Sequence, residues 1–129
     1  MPIFKSKFER KTWEELSKAF PQVKYEPDVY SYIQPAKERK YTPDYKLSDK
    51  KVYIETKGKL DLDTRQKMVW FRDCNPDITI VFLFQNASVK IRKNSKTSYG
   101  DWATKNNFLW LDARDRDYLK KLKEILNDS

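Results

Sequence analysis

Histidine is absent from this 129-residue chain, cysteine occurs once (Cys74) and glycine twice (Gly58 and Gly100). Without histidine there is no Ser-His-Asp triad, no imidazole general base and no His-ligated metal, and a lone cysteine builds neither an internal disulfide nor a zinc cluster. A phosphate-binding loop needs two glycines ahead of a Lys-Ser/Thr pair and a dinucleotide fingerprint needs three, so both are excluded. Long apolar runs are missing too. The longest, Ile80 to Phe84, is only strand-sized, and nothing resembles a signal peptide or a membrane span. With an unpaired cysteine the expectation is a cytoplasmic protein with no membrane partner. Its chemistry has to run on carboxylates, lysines, hydroxyls and a metal that favours oxygen ligands.

What the chain has in quantity is positive charge. Its 27 Lys and Arg outnumber 19 Asp and Glu, for a net charge of +8. The surplus is local: residues 1–50 hold 11 basic and 8 acidic groups, residues 51–100 hold 10 and 5, and residues 101–129 hold 6 of each. A basic surface on the first hundred residues favours a polyanionic partner through phosphate neutralisation. The length suits one domain, so residues 1–129 read as a single folding unit.

The first strong element is a helix capped by Ser6 and stopped by Pro21, with Ser6 and Glu9 in capping-box spacing. Its apolar stripe, Trp13, Leu16 and Phe20, continues back onto Glu9. An acid there is explained by capping or by the helix dipole, or else it faces inward for a purpose. Strand-like pieces follow near residues 23–25 and 29–33. Residues 34–40 are polar and without periodicity, and read as a linker or an extended bridge. A hairpin comes next, residues 44–47 and 52–57, followed by a helix over 63–74 with Cys74 on its inner face. The run from Ile78 to Phe84 is the pattern of a strand buried on both faces. A helix between two such strands is a crossover unit, so the fold class is α/β with a mixed sheet. A short helix (98–106), a strand (108–111) and an amphipathic helix (114–126) complete the chain.

The hairpin carries the chemistry. If residues 48–51 form its loop, position 45 pairs with 54 and position 44 with 55, which sets Asp44 beside Glu55 on one face. Period-two alternation adds Lys57 to that face. Two carboxylates so close repel unless a cation lies between them, and Mg²⁺ or Mn²⁺ accepts such ligands. A divalent ion held there can activate water against a phosphodiester, with the lysine orienting the water or offsetting charge. The bare pattern acid-x-Lys occurs five times in this chain, so spacing alone is weak. Only the copy Glu55-Thr56-Lys57 lies in a strong strand opposite a Pro-Asp pair. The bland alternative is an ion-pair cluster on a solvated strand, and with it a non-catalytic nucleic-acid-binding module.

Pro43-Asp44, ten residues, then Glu55-Thr56-Lys57 resembles the Pro-Asp…Asp/Glu-x-Lys motif of the restriction-endonuclease-like nucleases. More narrowly, Tyr41-Thr42-Pro43-Asp44-Tyr45, Glu55-Thr56-Lys57-Gly58, Ile80-Val81-Phe82 and Thr97-Ser98-Tyr99-Gly100 resemble the phage endonuclease I family of Holliday-junction resolvases. The likeness runs from about residue 6 to 112. It implies a restriction-endonuclease-like core, a central mixed sheet flanked by helices, and a divalent-metal-dependent endonuclease acting on four-way junctions. It also implies Asp44, Glu55, Glu9 and Thr56 at the metal, Lys57 at the attacking water, and a domain-swapped homodimer bridged through residues 34–40. Glu9 would then complete the partner's site. The basic C-terminal tail expected of the family is replaced by a charge-balanced helix, so contacts to branched DNA fall to Lys5, Lys7, Arg10, Lys11, Lys59, Arg65, Lys67, Lys90, Arg92, Lys93 and Lys96. A restriction- or transposase-type nuclease acting on linear duplex is the other reading within the superfamily.

Overall fold

The computed structural model describes residues 2–34 and 37–129. Among the described residues eleven elements follow one another: α1 (Lys7–Ala19), β1 (Lys24–Tyr25), β2 (Tyr30–Gln34), β3 (Lys37–Tyr41), β4 (Tyr45–Lys46), β5 (Val52–Lys57), α2 (Leu62–Cys74), β6 (Thr79–Phe84), α3 (Tyr99–Lys105), β7 (Leu109–Asp112) and α4 (Tyr118–Asn127). Five strands form one sheet in the order β1-β4-β5-β6-β7, and β2 pairs with β3 in a separate ribbon. The β1/β4 and β4/β5 pairs are antiparallel, whereas β5/β6 and β6/β7 are parallel. The mixed α/β class is therefore as expected, with α2 and α3 as crossovers. No helix among the described residues is long and apolar enough to cross a membrane.

The sheet is covered on both faces, which is why β6 is apolar from Ile80 to Phe84. Ile80, Phe82 and Phe84 pack with Tyr53, Met68, Phe71, Tyr99 and Trp102 on one side. Val81 and Leu83 pack with Leu16, Ile54, Tyr118 and Leu122 on the other. The amphipathic face of α4 is thus spent on this chain's own core, and Tyr118 ties α4 to α1 by donating its hydroxyl to Glu15 Oε2 at 3.0 Å. In the Thr97-Ser98-Tyr99-Gly100 stretch each residue type after the first has a structural task. Ser98 and Asp101 form a full capping box on α3, Tyr99 is buried against Phe84, and a Cβ on Gly100 would lie 2.7 Å from Trp110 Cζ2.

Several boundaries differ from the sequence reading, each for a local reason. Residues 37–40 of the stretch 34–40, read as a linker or an extended bridge, belong to β3, which pairs with β2 from Tyr30↔Tyr41 to Gln34↔Lys37. Residues 38–40 are exposed, so no alternation marks the strand ahead of its buried end residue, Tyr41. Pro35 and Ala36 lie outside the described residues. Cys74 is exposed rather than inward, and its sulfur accepts the Ile33 N–H of the ribbon at 3.3 Å. The last helix starts at Tyr118 and not at Arg114, because Asp112 stops the chain in a turn: its carboxylate accepts the Arg114 N–H at 2.8 Å and the guanidinium at 2.8 Å.

Asp112 also accepts the Ala87 N–H at 3.0 Å, clamping the loop after β6 to the end of β7. These donors, Arg114 foremost, hold its pKa down to about 2. A depressed carboxylate pKa contributes stability that is present above the unfolded value and lost as pH falls through the folded one. Asp112→Ala is expected to cost about 1–2 kcal/mol in urea unfolding at neutral pH. The gap to wild type should narrow from about pH 4 downward.

A candidate metal centre at the end of the sheet

The cleft of interest lies at the carboxyl end of β5, where α1, β3, β4 and the turn into α2 converge. Its volume is about 520 Å³, and its walls include Lys5, Glu9, Glu26, Tyr41, Asp44, Glu55 and Lys57. The observed register is the one read from the hairpin, Tyr45↔Ile54 and Lys46↔Tyr53. Pairing stops there, and Asp44 meets Glu55 as expected: the Asp44 N–H points to Glu55 Oε1 at 3.3 Å. Two residues on, Lys57 Nζ is 3.2 Å from Glu55 Oε2. Lys57 therefore shares the face of Glu55, as strand alternation requires.

Backbone donors that the sheet leaves unused orient these acids. Asp44 Oδ2 accepts both the Thr56 N–H (2.9 Å) and the Thr56 hydroxyl (2.7 Å). Glu55 Oε1 also accepts the hydroxyl of Tyr41, a buried residue of β3. Thr56 enters the geometry as the group that fixes Asp44.

Glu9 is where the interrupted stripe of α1 put it, on the inner face and 6% exposed. Ser6 caps the helix by accepting the Glu9 N–H at 3.1 Å, but the other half of the capping box is missing. Glu9 Oε1 instead accepts the Lys5 N–H at 2.8 Å, and the Tyr25 hydroxyl lies 3.3 Å from both carboxylate oxygens. Oxygens of Glu9, Glu26 and Asp44 all lie within 4.8 Å of one another. One chain thus brings Glu9 and Asp44 together.

Glu26 is a residue the sequence reading missed. It sits in a left-handed bend (φ 46°) after β1 and pairs with Lys5 Nζ at 2.8 Å. The only sequence cue is the Glu26-Pro27 step after a short strand, which marks a turn and says nothing of where the side chain goes. Lys40 and Tyr41, also on the cleft wall, were missed: Lys40 falls in the stretch read as linker or bridge, and Tyr41 entered only as part of the family motif.

Carboxylates 4–6% exposed and this close together carry an electrostatic cost. Burial, then the charge of Glu55, raises the pKa of Asp44 well above the carboxylate range, against the Thr56 hydrogen bonds, and Glu9 adds to the rise. Burial and the neighbouring Glu55 likewise keep the Tyr41 hydroxyl protonated. Burial and Lys57 lower the pKa of Lys67, whose ammonium sits 4.9 Å above the Tyr41 ring. The donor set is entirely oxygen, buried and anionic, which fits a hard divalent cation and fits neither zinc nor copper in the usual nitrogen and sulfur environments.

The eleven basic residues named from the sequence are not all in one place. Lys5, Lys59 and Lys67 line the cleft, with Lys40 in addition. Lys7 and Arg10 line the adjoining groove with Lys5. Lys11 lies in another groove with Glu14, Lys18 and Leu119. Arg65, in the first turn of α2, directs Nε to the Asp61 carbonyl at 3.4 Å. Lys90 lines a separate groove with Asp112 and Asp115, and Arg92, Lys93 and Lys96 are exposed in the loop that its bridge to Ser98 closes.

The model of the phage endonuclease I family matches residues 1–125. The chain belongs to that family. It is 35% identical over 109 residues to the protein named endodeoxyribonuclease 1 of Enterobacteria phage T3, covering 84% of this chain and 71% of that one. It is 32% identical over 109 residues to endonuclease I of Escherichia phage T7, covering 84% and 72%. The matched span includes every carboxylate of the cleft.

A raised pKa means that ionising Asp44 costs the folded state stability as pH rises through that pKa. Asp44→Asn removes the charge and leaves an oxygen to accept from Thr56. Without metal, this variant is expected to melt above wild type at neutral pH by about 1 kcal/mol, roughly 4 °C, the difference closing as pH falls. Mn²⁺ should raise the midpoint of wild type and leave that of Asp44→Asn in place.

Proposed function

We propose that this chain is a divalent-metal-dependent endodeoxyribonuclease that resolves four-way junctions and other branched DNA. The observation that carries the proposal is the convergence of buried Glu9, Asp44 and Glu55 with Lys57 in one cleft. Membership of a family whose relatives are named as endodeoxyribonucleases supports the same reaction.

In this reading Asp44 and Glu55 are the principal ligands of Mg²⁺ or Mn²⁺, Glu9 supplies a further oxygen from α1, and Thr56 completes the set while holding Asp44 in place. A bound ion supplies a polarised phosphodiester and a water of lowered pKa. The chain's own residues do the rest. Lys57, held by Glu55, directs the attacking water or offsets charge on the phosphate oxygens as the pentavalent arrangement forms. Carboxylates on neighbouring elements keep this geometry fixed before substrate arrives, so little reorganisation is left for the reaction itself. Lys5, Lys40, Lys59 and Lys67 neutralise phosphates flanking the scissile bond, and Lys7 and Arg10 extend the track. Lys11, Arg65, Lys90, Arg92, Lys93 and Lys96 serve the arms of a branched substrate farther out.

Paired nicks across a junction call for two sites at a fixed spacing, hence a homodimer. Residues 34–40, the segment that reads as a bridge in the sequence, are the one through which a swap would run. Opening the β2/β3 ribbon would exchange α1 to β2 between subunits and deliver Glu9 to the partner's Asp44, with the same side chains around each site.

The deciding assay incubates the purified protein with four-way-junction DNA and with linear duplex of matched sequence, with and without Mg²⁺. Cleavage of the junction alone, and only with metal, is expected. Asp44→Ala and Glu55→Ala should lose cleavage by more than about a hundredfold while still retarding the junction in a gel. Wild-type cutting by either variant would remove the site assignment, equal cutting of linear DNA the junction preference, and salt-sensitive binding with no cleavage the enzyme itself. Sedimentation at micromolar concentration should show a dimer, and a monomer alone would exclude the two-site scheme.

A further inference from the structure

The two central carboxylates of the cleft are each half closed. A carboxylate oxygen has two lone pairs, and on each acid one oxygen has both of them taken by protein donors. On Asp44 that oxygen is Oδ2, which receives the N–H and the hydroxyl of Thr56 at 2.9 and 2.7 Å. On Glu55 it is Oε1, which receives the Tyr41 hydroxyl and the Asp44 N–H, the latter at 3.3 Å. That leaves Oδ1 of Asp44 and, on Glu55, Oε2 beside Lys57 Nζ at 3.2 Å to take a further ligand.

Denticity matters to ion choice. Ca²⁺ takes six to eight oxygens at longer distances and commonly binds a carboxylate through both, whereas Mg²⁺ demands octahedral geometry, keeps several waters and takes carboxylates one oxygen at a time. Resting on the reading of this cleft as a metal centre, we propose that Tyr41 is a positioning residue: by occupying Glu55 Oε1 it limits Glu55 to one metal-accessible oxygen and tunes the site toward Mg²⁺ and away from Ca²⁺. Tyr41 is placed for this from outside the β4/β5 hairpin. It comes from β3, its ring is wedged edge-on against Phe71 with centroids 4.7 Å apart, and the Lys67 ammonium covers it at 4.9 Å. The hydroxyl is therefore held on Glu55 by packing that has no other need of an oxygen.

That separation makes the test clean, because Tyr41→Phe removes the hydroxyl and keeps the ring. The measurement is calorimetric titration of MgCl₂, MnCl₂ and CaCl₂ into full-length wild type, Tyr41→Phe and Glu55→Ala, with a thermal melt of each. The expected result for Tyr41→Phe is a shift of about tenfold in the Ca²⁺-to-Mg²⁺ affinity ratio toward Ca²⁺, the scale on which outer partners of metal ligands act. Its thermal midpoint should stay within a few degrees of wild type. A ratio unchanged to within roughly twofold, even if both affinities drop together, would overturn the role and leave Tyr41 as packing. Glu55→Ala and wild type binding the ions alike, or neither binding them, would remove the metal centre itself and this role with it.

Discussion

Two carboxylates placed opposite each other where β4 and β5 stop pairing are the constraint around which the rest of this protein is arranged. Asp44 and Glu55 are almost wholly buried, they repel, and burial alone would not hold them there. They stay because neighbouring elements aim donors at them: the Thr56 amide and hydroxyl from β5, the Tyr41 hydroxyl from β3, and the Lys57 ammonium two residues along the strand. The sheet supplies the leverage. With Ile80, Phe82 and Phe84 packed on one side of β6 and Val81 and Leu83 on the other, β5 is locked by a parallel neighbour along its whole length.

The same economy explains the outer parts of the cleft. Glu9 lies on the stripe of α1 that also buries Leu16, so the packing that seats the helix delivers the carboxylate. Lys5, one turn earlier, takes part twice, through its N–H to Glu9 and its ammonium to Glu26. Polyanion attraction and metal attraction then come from separate populations of residues. The acids occupy the floor, and the lysines from β3, β5 and α2 occupy the walls and rim. A net charge of +8 coexists in this way with a cluster of buried carboxylates.

Much of this was legible in the residues because it follows from period and register. The pairing of 45 with 54 came from a four-residue loop and two short runs. Once it was set, Asp44, Glu55 and Lys57 had to share a face, and the gap in the α1 stripe marked Glu9. What escaped was whatever depends on a bend or an exposed ribbon. Residues 38–40 carry no alternation because no face of that strand is buried there, and with β3 unread the contribution of Tyr41 and Lys40 went unread too. Glu26 reaches the acidic cluster through a single left-handed residue. Cys74 has the spacing of an inward position, yet it faces the ribbon at the end of α2, where its sulfur meets the Ile33 amide.

The chain's local order therefore determined its class, its crossover units and the chemistry open to it: carboxylates and lysine around a hard cation, with histidine mechanisms, an internal disulfide and a zinc cluster ruled out by composition. The physical reason is that hydrophobic period, strand register and residue type act over a few residues. Only the tertiary structure decided which oxygen of each acid is left open, that Glu26 and Tyr41 join the cleft, and which lysines stand at its wall while others lie on remote loops. Those outcomes depend on contacts between α1, the ribbon, β5 and α2, whose distances no local pattern contains.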